Sequence, residues 1–413
     1  MLSDEVIDKV VERLVNRIEE GNTYIIKKIG ESIKKIGTLA PSDAQQLIQI
    51  MKYGGDYDKI AKKLAEVTRL NVKDIYKIFE EVAKKETYFA KQFYDYRGKK
   101  FIPYEKNKAL KKQVEALAKI TAKEYVNLTQ TTAFATKVDG ELVYNDIGKT
   151  YQNILDKAVL ELAQGKESFN SEMSKVMKEL AENGIRTVDY ASGRSLRIDS
   201  AVRMQLNSAL MRLHNEMQED FGKKFDSDGI EISVHANPAL DHAEAQGRQF
   251  SNEEWEKLQT IGVAKDYTGR EINMHLDRVR TKSTSIAFRP IGQYNCRHTV
   301  YSIVLGVSKP EYSDKELQKI LDDNNKGFDF DGKHYNTLYE GTQLQRRIEL
   351  EIRKQKDAQI GAKVINDEDG ILKAQEKIRQ LTKKYQDLSN VSGLPTKLER
   401  LQVNGYKRVE IKK

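Results

Sequence analysis

Apolar residues recur at three- and four-residue spacing through most of this chain, and that period favours helices packed on helices above other architectures. Residues 3–20 carry Ile7, Val10, Val11, Leu14, Val15 and Ile18 on one stripe, with Ser3 placed to cap it. A second start falls at Pro41-Ser42, where Ser42 and Gln45 have capping-box spacing and Gly54-Gly55 closes the run. Segments 57–68, 71–85, 86–97 and 107–131 continue the pattern. Further helices are predicted near 148–164, 170–183 and 197–222, the last with Val202, Leu206, Leu210 and Leu213 on one face. Beyond residue 312 they return at 314–323, where Ser313 and Glu316 have capping-box spacing, and at 341–357 and 371–388.

The period breaks in the middle. Residues 136–150, TKVDGELVYNDIGKT, have turn residues around short apolar runs, as in a hairpin or extended loop. GIRTVDY reads as a short strand entered through Gly184, IEISVHA alternates like a half-buried strand, and SIAFRPI at 285–291 does so again. The predicted fold class is α+β, predominantly α-helical. Its expected parts are a helical N-terminal block (1–135), a central small-sheet α+β domain (136–312), a helical extension (313–358) and a basic helical or extended tail (359–413). The last stretch, from Val391, shows little core and is expected to order only against a partner.

Several classes are excluded early. One cysteine in 413 residues forms no internal disulfide. The N-terminus is charged from residue 4 onward and lacks the apolar segment of a signal peptide, and no apolar run nears the roughly 20 residues that cross a bilayer. No phosphate-binding glycine–lysine run, dinucleotide fingerprint, nucleophile elbow or helical histidine pair is present. The expectation is therefore a non-enzyme without cofactor, small-molecule substrate or membrane partner. Charge is uneven: residues 343–413 hold 17 Lys and Arg against 10 Asp and Glu, a net of +7, while residues 1–342 hold 53 against 52. Such a tail suits a phosphate backbone, and Lys383, Lys384, Arg400, Lys407 and Arg408 are the candidate contacts; solvated helix is the plainer reading.

Two clusters carry whatever chemistry there is. Residues 88–104 are dense in aromatics, and Tyr88, Phe89, Phe93, Tyr94 and Tyr96 are candidates for a partner interface, with helix packing as the alternative. In the centre, His235, Asp241, His242 and Glu244 precede Cys296 and His298 of the NCRH segment. Imidazoles and a thiolate suit zinc, but Cys-x-His is not a finger spacing, and segments some 60 residues apart need the fold to unite them. A Cys–His nucleophile would also need an orienting group. The expected metal ligation and catalysis are none; these residues are read as tying two loops together by hydrogen bonds, with Arg297 as a donor.

The wording of the central segments is more specific than their chemistry. ASGRSLRIDSAVRMQLNSAL (191–210), ISVHANPALDHAEAQGRQFS (232–251), IGQYNCRHTVYSIVLGVSKPEYSDKEL (291–317) and QLQRRIELEIRKQKDA (343–358) together resemble the tailed-phage minor capsid protein 2 family, related to the MuF-like head morphogenesis proteins. The resemblance covers roughly 145–358 and rests on Arg203, His235, His242, Glu244, Gly247, Arg248, Asn295, Cys296, Arg297 and His298 as a structural motif. One departure is Asn237-Pro238-Ala239, where an Arg-Pro is expected after the first histidine. The resemblance implies a virion structural protein of the capsid interior or portal vertex, acting in head assembly. Its implied partners are the portal protein, the major capsid protein and, non-specifically, double-stranded DNA. The other class of reading is a head-carried enzyme or toxin-like effector using the His/Asp/Glu/Cys cluster.

Overall fold

The computed structural model describes residues 4–39, 59, 63, 66, 72–130, 132–138, 141–145, 147–188, 195–275, 288–292 and 296–408. Helix α1 spans Asp4–Ile36, well past the predicted end at residue 20. Its buried stripe runs on through Ile25, Ile26, Ile29, Ile33 and Ile36. Gly21-Asn22 does not stop it, because the Asn22 side chain donates to Asp357 at 3.1 Å and accepts from the Ile185 N–H at 3.1 Å. The predicted helices over 42–53 and 57–68 lie outside the described residues, apart from three isolated positions of the second.

The runs 71–85 and 86–97 form a single helix, α2 (Val72–Tyr96), followed by α3 (Lys108–Gln130). Strands β1 (Thr132–Val138) and β2 (Glu141–Asn145) form the expected hairpin, and helices α4 (Ile147–Gln164) and α5 (Lys166–Asn183) follow. Strands β3 (Ile185–Val188) and β4 (Ser195–Arg197) complete an antiparallel sheet in the order β2-β1-β3-β4. Helix α6 (Ile198–Phe225) is buried on nearly every side, including His214 and Gln218, so a single apolar face describes it poorly.

The central sheet has the order β6-β5-β9, from Gln249–Ser251, Gly229–Ile232 and Val300–Ile303. Helix α7 (Asn252–Ile261) and the hairpin of β7 (Val263–Lys265) and β8 (Glu271–Asn273) cover a core of Ile232, Phe250, Leu258, Ile272 and Met274. Residues 288–291 of the predicted 285–291 strand are not in a strand, and 285–287 lie outside the described residues. The third strand is Val300–Ile303 instead. All four of its residues are buried, so it shows no alternation.

Helix α8 (Asp314–Asn325) has both hydrogen bonds of the expected Ser313–Glu316 capping box. Strands β10 (Phe328–Phe330) and β11 (Lys333–Tyr335) then lead to the long antiparallel pair α9 (Leu338–Val364) and α10 (Glu368–Ser392). The predominantly helical α+β class holds, with 66% of the structure helical. The last stretch has more core than its sequence promised: Leu394, Leu401 and Val403 are buried. The Lys397 N–H also donates to the Tyr385 hydroxyl at 2.9 Å.

A buried ionic layer joins α1, α6 and α9. Arg197 donates to Asp357 at 2.9 Å and to Asp199 at 3.4 Å, and its guanidinium lies 3.8 Å from Glu19. Arg353 donates to the other Asp199 oxygen at 3.1 Å and to the Arg400 carbonyl at 2.7 Å. Burial first, and then the charges of Asp199 and Asp357, push the Glu19 carboxyl up to about 8. With Glu19 protonated, two guanidiniums face the two aspartates, and the layer is neutral as long as Asp357, whose carboxyl burial raises against the pull of Arg197, stays ionised. Further along, Gly30 lets α1 sit close to the end of α9, since a Cβ there would stand 2.8 Å from Val364.

Candidate functional site

Antiparallel pairing of β5 with β9 sets Ile232 opposite Val300, so the chain leaving β5 runs beside the chain entering β9. Beyond the sheet, the Ser233 N–H donates to the Thr299 carbonyl at 2.9 Å and the Thr299 N–H to the Ser233 hydroxyl at 2.9 Å. The same pairing places His235 next to His298, with ring centroids 4.4 Å apart. The loop 236–247 folds back over them and returns through Gly247, whose N–H donates to the Ile232 carbonyl at 2.9 Å. Gly247 has φ +69°, and a Cβ there would stand 2.4 Å from Leu317. That loop carries His242 inward.

His242, Cys296 and His298 are all buried, with one ligand atom of each within 4.8 Å of the others. The Cys296 sulfur lies 3.3 Å from His242 Nδ1 and 3.4 Å from His298 Nδ1. The far nitrogens are fixed from outside. His242 Nε2 lies 2.7 Å from the Arg289 carbonyl, which can only accept. His298 Nε2 lies 3.2 Å from Gln246 Oε1, and that oxygen also accepts from the His235 N–H at 2.9 Å. Both rings therefore carry their proton on Nε2 and turn an Nδ1 lone pair toward the thiol. Burial lowers the His242 imidazole despite Asp241, and lowers His298 well below its ordinary range, with His235 and His242 adding to it. Burial also raises the Cys296 thiol, so neither a thiolate nor an imidazolium is favoured.

Around this cluster, Arg289 holds Asp241 through two hydrogen bonds of 2.8 and 2.9 Å. Arg248 donates to the Glu244 carbonyl at 2.9 Å, to Asp266 at 2.8 Å and to Asp314 at 3.1 Å, bracing the returning loop. The Glu244 side chain is exposed and takes no part. Arg203 lies apart from the histidines, held by Glu12 at 2.7 and 2.9 Å. Asn295 is outside the described residues. The cluster opens on a cavity of about 250 Å³ lined by His235, Arg289, Arg297, Arg346 and Arg400 among others. Arg297, Arg346 and Arg400 also line a neighbouring cavity of about 410 Å³, together with Arg203, Arg347 and Arg353, where Glu349 is the one carboxylate. Sequence spacing argued against a ligand set, but strand pairing assembles three donors at a cationic cleft.

A family model described as phage minor capsid protein 2 matches residues 2–390. The chain belongs to the phage minor capsid protein 2 family. The match takes in the N-terminal helices as well as the central segments that carry the resemblance, and it supports a structural role in the phage head, within the virion. No curated protein and no solved structure matches the chain. Among the described residues no helix is long and apolar enough to cross a membrane.

Within this minor capsid protein the aromatic candidates divide. Tyr94 is buried, while Phe89 and Phe93 pack on Tyr301 and Phe225 at centroid distances of 5.6 and 5.3 Å. Tyr88 and Tyr96 stand out on the same helix, 81% and 59% exposed. The basic candidates divide too. Lys383, Lys407 and Arg408 are exposed and Lys384 pairs with Asp331, whereas Arg400 is buried near Glu12 and Glu349, each 4.0 Å away. Burial removes Arg400 from the outward-facing set, a consequence of Leu401 and Val403 anchoring the tail. The ionic layer went unseen in the sequence because charged residues on amphipathic helices read as solvated faces.

Proposed function

We propose that this chain is a head morphogenesis protein held at the portal vertex or on the capsid interior, bound to the portal and major capsid proteins. The family match across 2–390 carries the reading. On this reading Tyr88 and Tyr96 supply the docking face, since exposed tyrosines on a rigid helix give large contact area at small entropic cost. Lys383, Lys407 and Arg408 contact packaged DNA through its phosphates, without base readout. The expected test is co-expression with the portal protein of the same genome, followed by native mass spectrometry. A defined mass of a portal ring plus an integral number of these chains supports the proposal; a free chain beside an empty ring contradicts it. The second reading, a head-carried enzyme or effector, has one observation behind it: the convergence of His242, Cys296 and His298 at a cavity.

A further inference from the structure

The buried His242–Cys296–His298 group contains a mismatch that hydrogen bonding alone does not resolve. Two Nδ1 lone pairs face one sulfur at 3.3 and 3.4 Å, and a thiol has a single proton to give. One imidazole lone pair is thus left against sulfur with nothing between them. The acceptors on Nε2 forbid the other tautomer. A cation in place of the thiol proton removes the mismatch, because it takes an electron pair from all three atoms together.

We propose that His242, Cys296 and His298 bind one divalent ion of the zinc class, with the fourth position open to the arginine-lined cavity. The donor set, one sulfur and two imidazole nitrogens, selects a borderline-soft transition metal over calcium or magnesium. The separations fit as well. Zinc bonds of roughly 2.3 Å to sulfur and 2.0–2.1 Å to nitrogen at a tetrahedral angle put the two donors about 3.5 Å apart, close to the 3.3 and 3.4 Å seen. The hydrogen bonds on the far side of each ring, from His242 to the Arg289 carbonyl and from His298 to Gln246, are those that orient metal-bound histidines. Three protein donors leave one position for water or for an anion drawn in by Arg346 and Arg400, both of which line the same cavity.

The lone cysteine makes the test unambiguous, because any thiolate–metal signal comes from Cys296. The full chain, freed of any purification tag and stripped with a chelator, is titrated with zinc and separately with cobalt. Elemental analysis after dialysis is expected to give one zinc per chain, and the cobalt form a near-ultraviolet thiolate-to-metal charge-transfer band. Cys296→Ser and His298→Gln lose the bound zinc, and Gln246→Ala weakens it by about 10–100-fold. Absence of retained zinc in the wild type overturns the proposal, as does zinc retained undiminished in both ligand variants. If the variants fail to fold by circular dichroism, the wild-type cobalt spectrum decides, and no charge-transfer band overturns it.

Discussion

Two of the buried polar clusters among the described residues differ in how charge and protons are balanced within them. In the layer of Arg197, Asp199, Arg353, Asp357 and Glu19, charge closes on itself: two guanidiniums meet two carboxylates, and the third carboxyl keeps its proton. Asn22 and the Arg400 carbonyl take part as further partners of the layer. The His242–Cys296–His298 group has its outer hydrogen bonds in place but is one proton short at its centre. A charge-matched cluster needs only the fold, and this one holds α1, α6 and α9 together. The histidine–cysteine group sits at the wall of a cationic cavity, and that is where we place the proposed ion.

The sharpest way to break the first cluster is Asp199→Ala. It leaves Arg353 and Arg197 without the carboxylate they share, and unfolding by urea should show a loss of about 3–5 kcal/mol. Burial opposes the charge on Asp199, but Arg353 and Arg197 together hold its carboxyl well below the usual range, so that charge is present at neutral pH. Gly247→Ala attacks the second cluster through its backbone. The left-handed φ and the close Leu317 contact should cost about 1–3 kcal/mol. Zinc retention should fall with it, because the loop that carries His242 turns there.

Glu19→Gln mimics the protonated acid. The folded carboxyl titrates at about 8 and the unfolded one near 4.5, so between these values the folded chain holds a proton that the unfolded chain has released. This contribution to wild-type stability should therefore be complete below pH 4.5 and decline as pH rises toward about 8. The Gln variant should lose that decline and equal or exceed the wild type at pH 8; an unchanged slope in paired denaturation series contradicts the neutral layer. The smallest stability effect belongs to Lys383→Gln, Lys407→Gln and Arg408→Gln, each expected within about 0.5 kcal/mol. Together they should weaken DNA binding in a salt-dependent way and flatten its dependence on salt concentration.

Much of the helical frame was legible from spacing alone. The Ser313–Glu316 box marked the start of α8, and the stripe of Val202, Leu206, Leu210 and Leu213 marked the buried core of α6. Legibility failed where tertiary contacts override local signals. Asn22 continues α1 because Asp357, over 300 residues away in sequence, accepts its hydrogen bond. β9 showed no alternation because both of its faces are covered. For the site, the residue types were legible and their union was not. Cys296 and His298 lie two apart in extended chain and face one side, but the partner loop with His242 arrives through the β5–β9 register, which no spacing within either segment encodes. The aromatic segment was legible as a cluster, while its division into inward Phe89, Phe93 and Tyr94 and outward Tyr88 and Tyr96 depended on where α6 and β9 pack.

On the function proposed above, exposed tyrosines build this chain into the phage head, while its buried clusters serve the fold and the proposed ion. Quantitative mass spectrometry of purified mature heads tests it most directly, comparing wild type with Tyr88→Ala/Tyr96→Ala. The expected result is a fixed small number of copies in wild-type heads and a clear reduction in the double variant, whose solution stability is unchanged. Heads that lack the chain although it is expressed, or that carry the double variant in undiminished number, would contradict it.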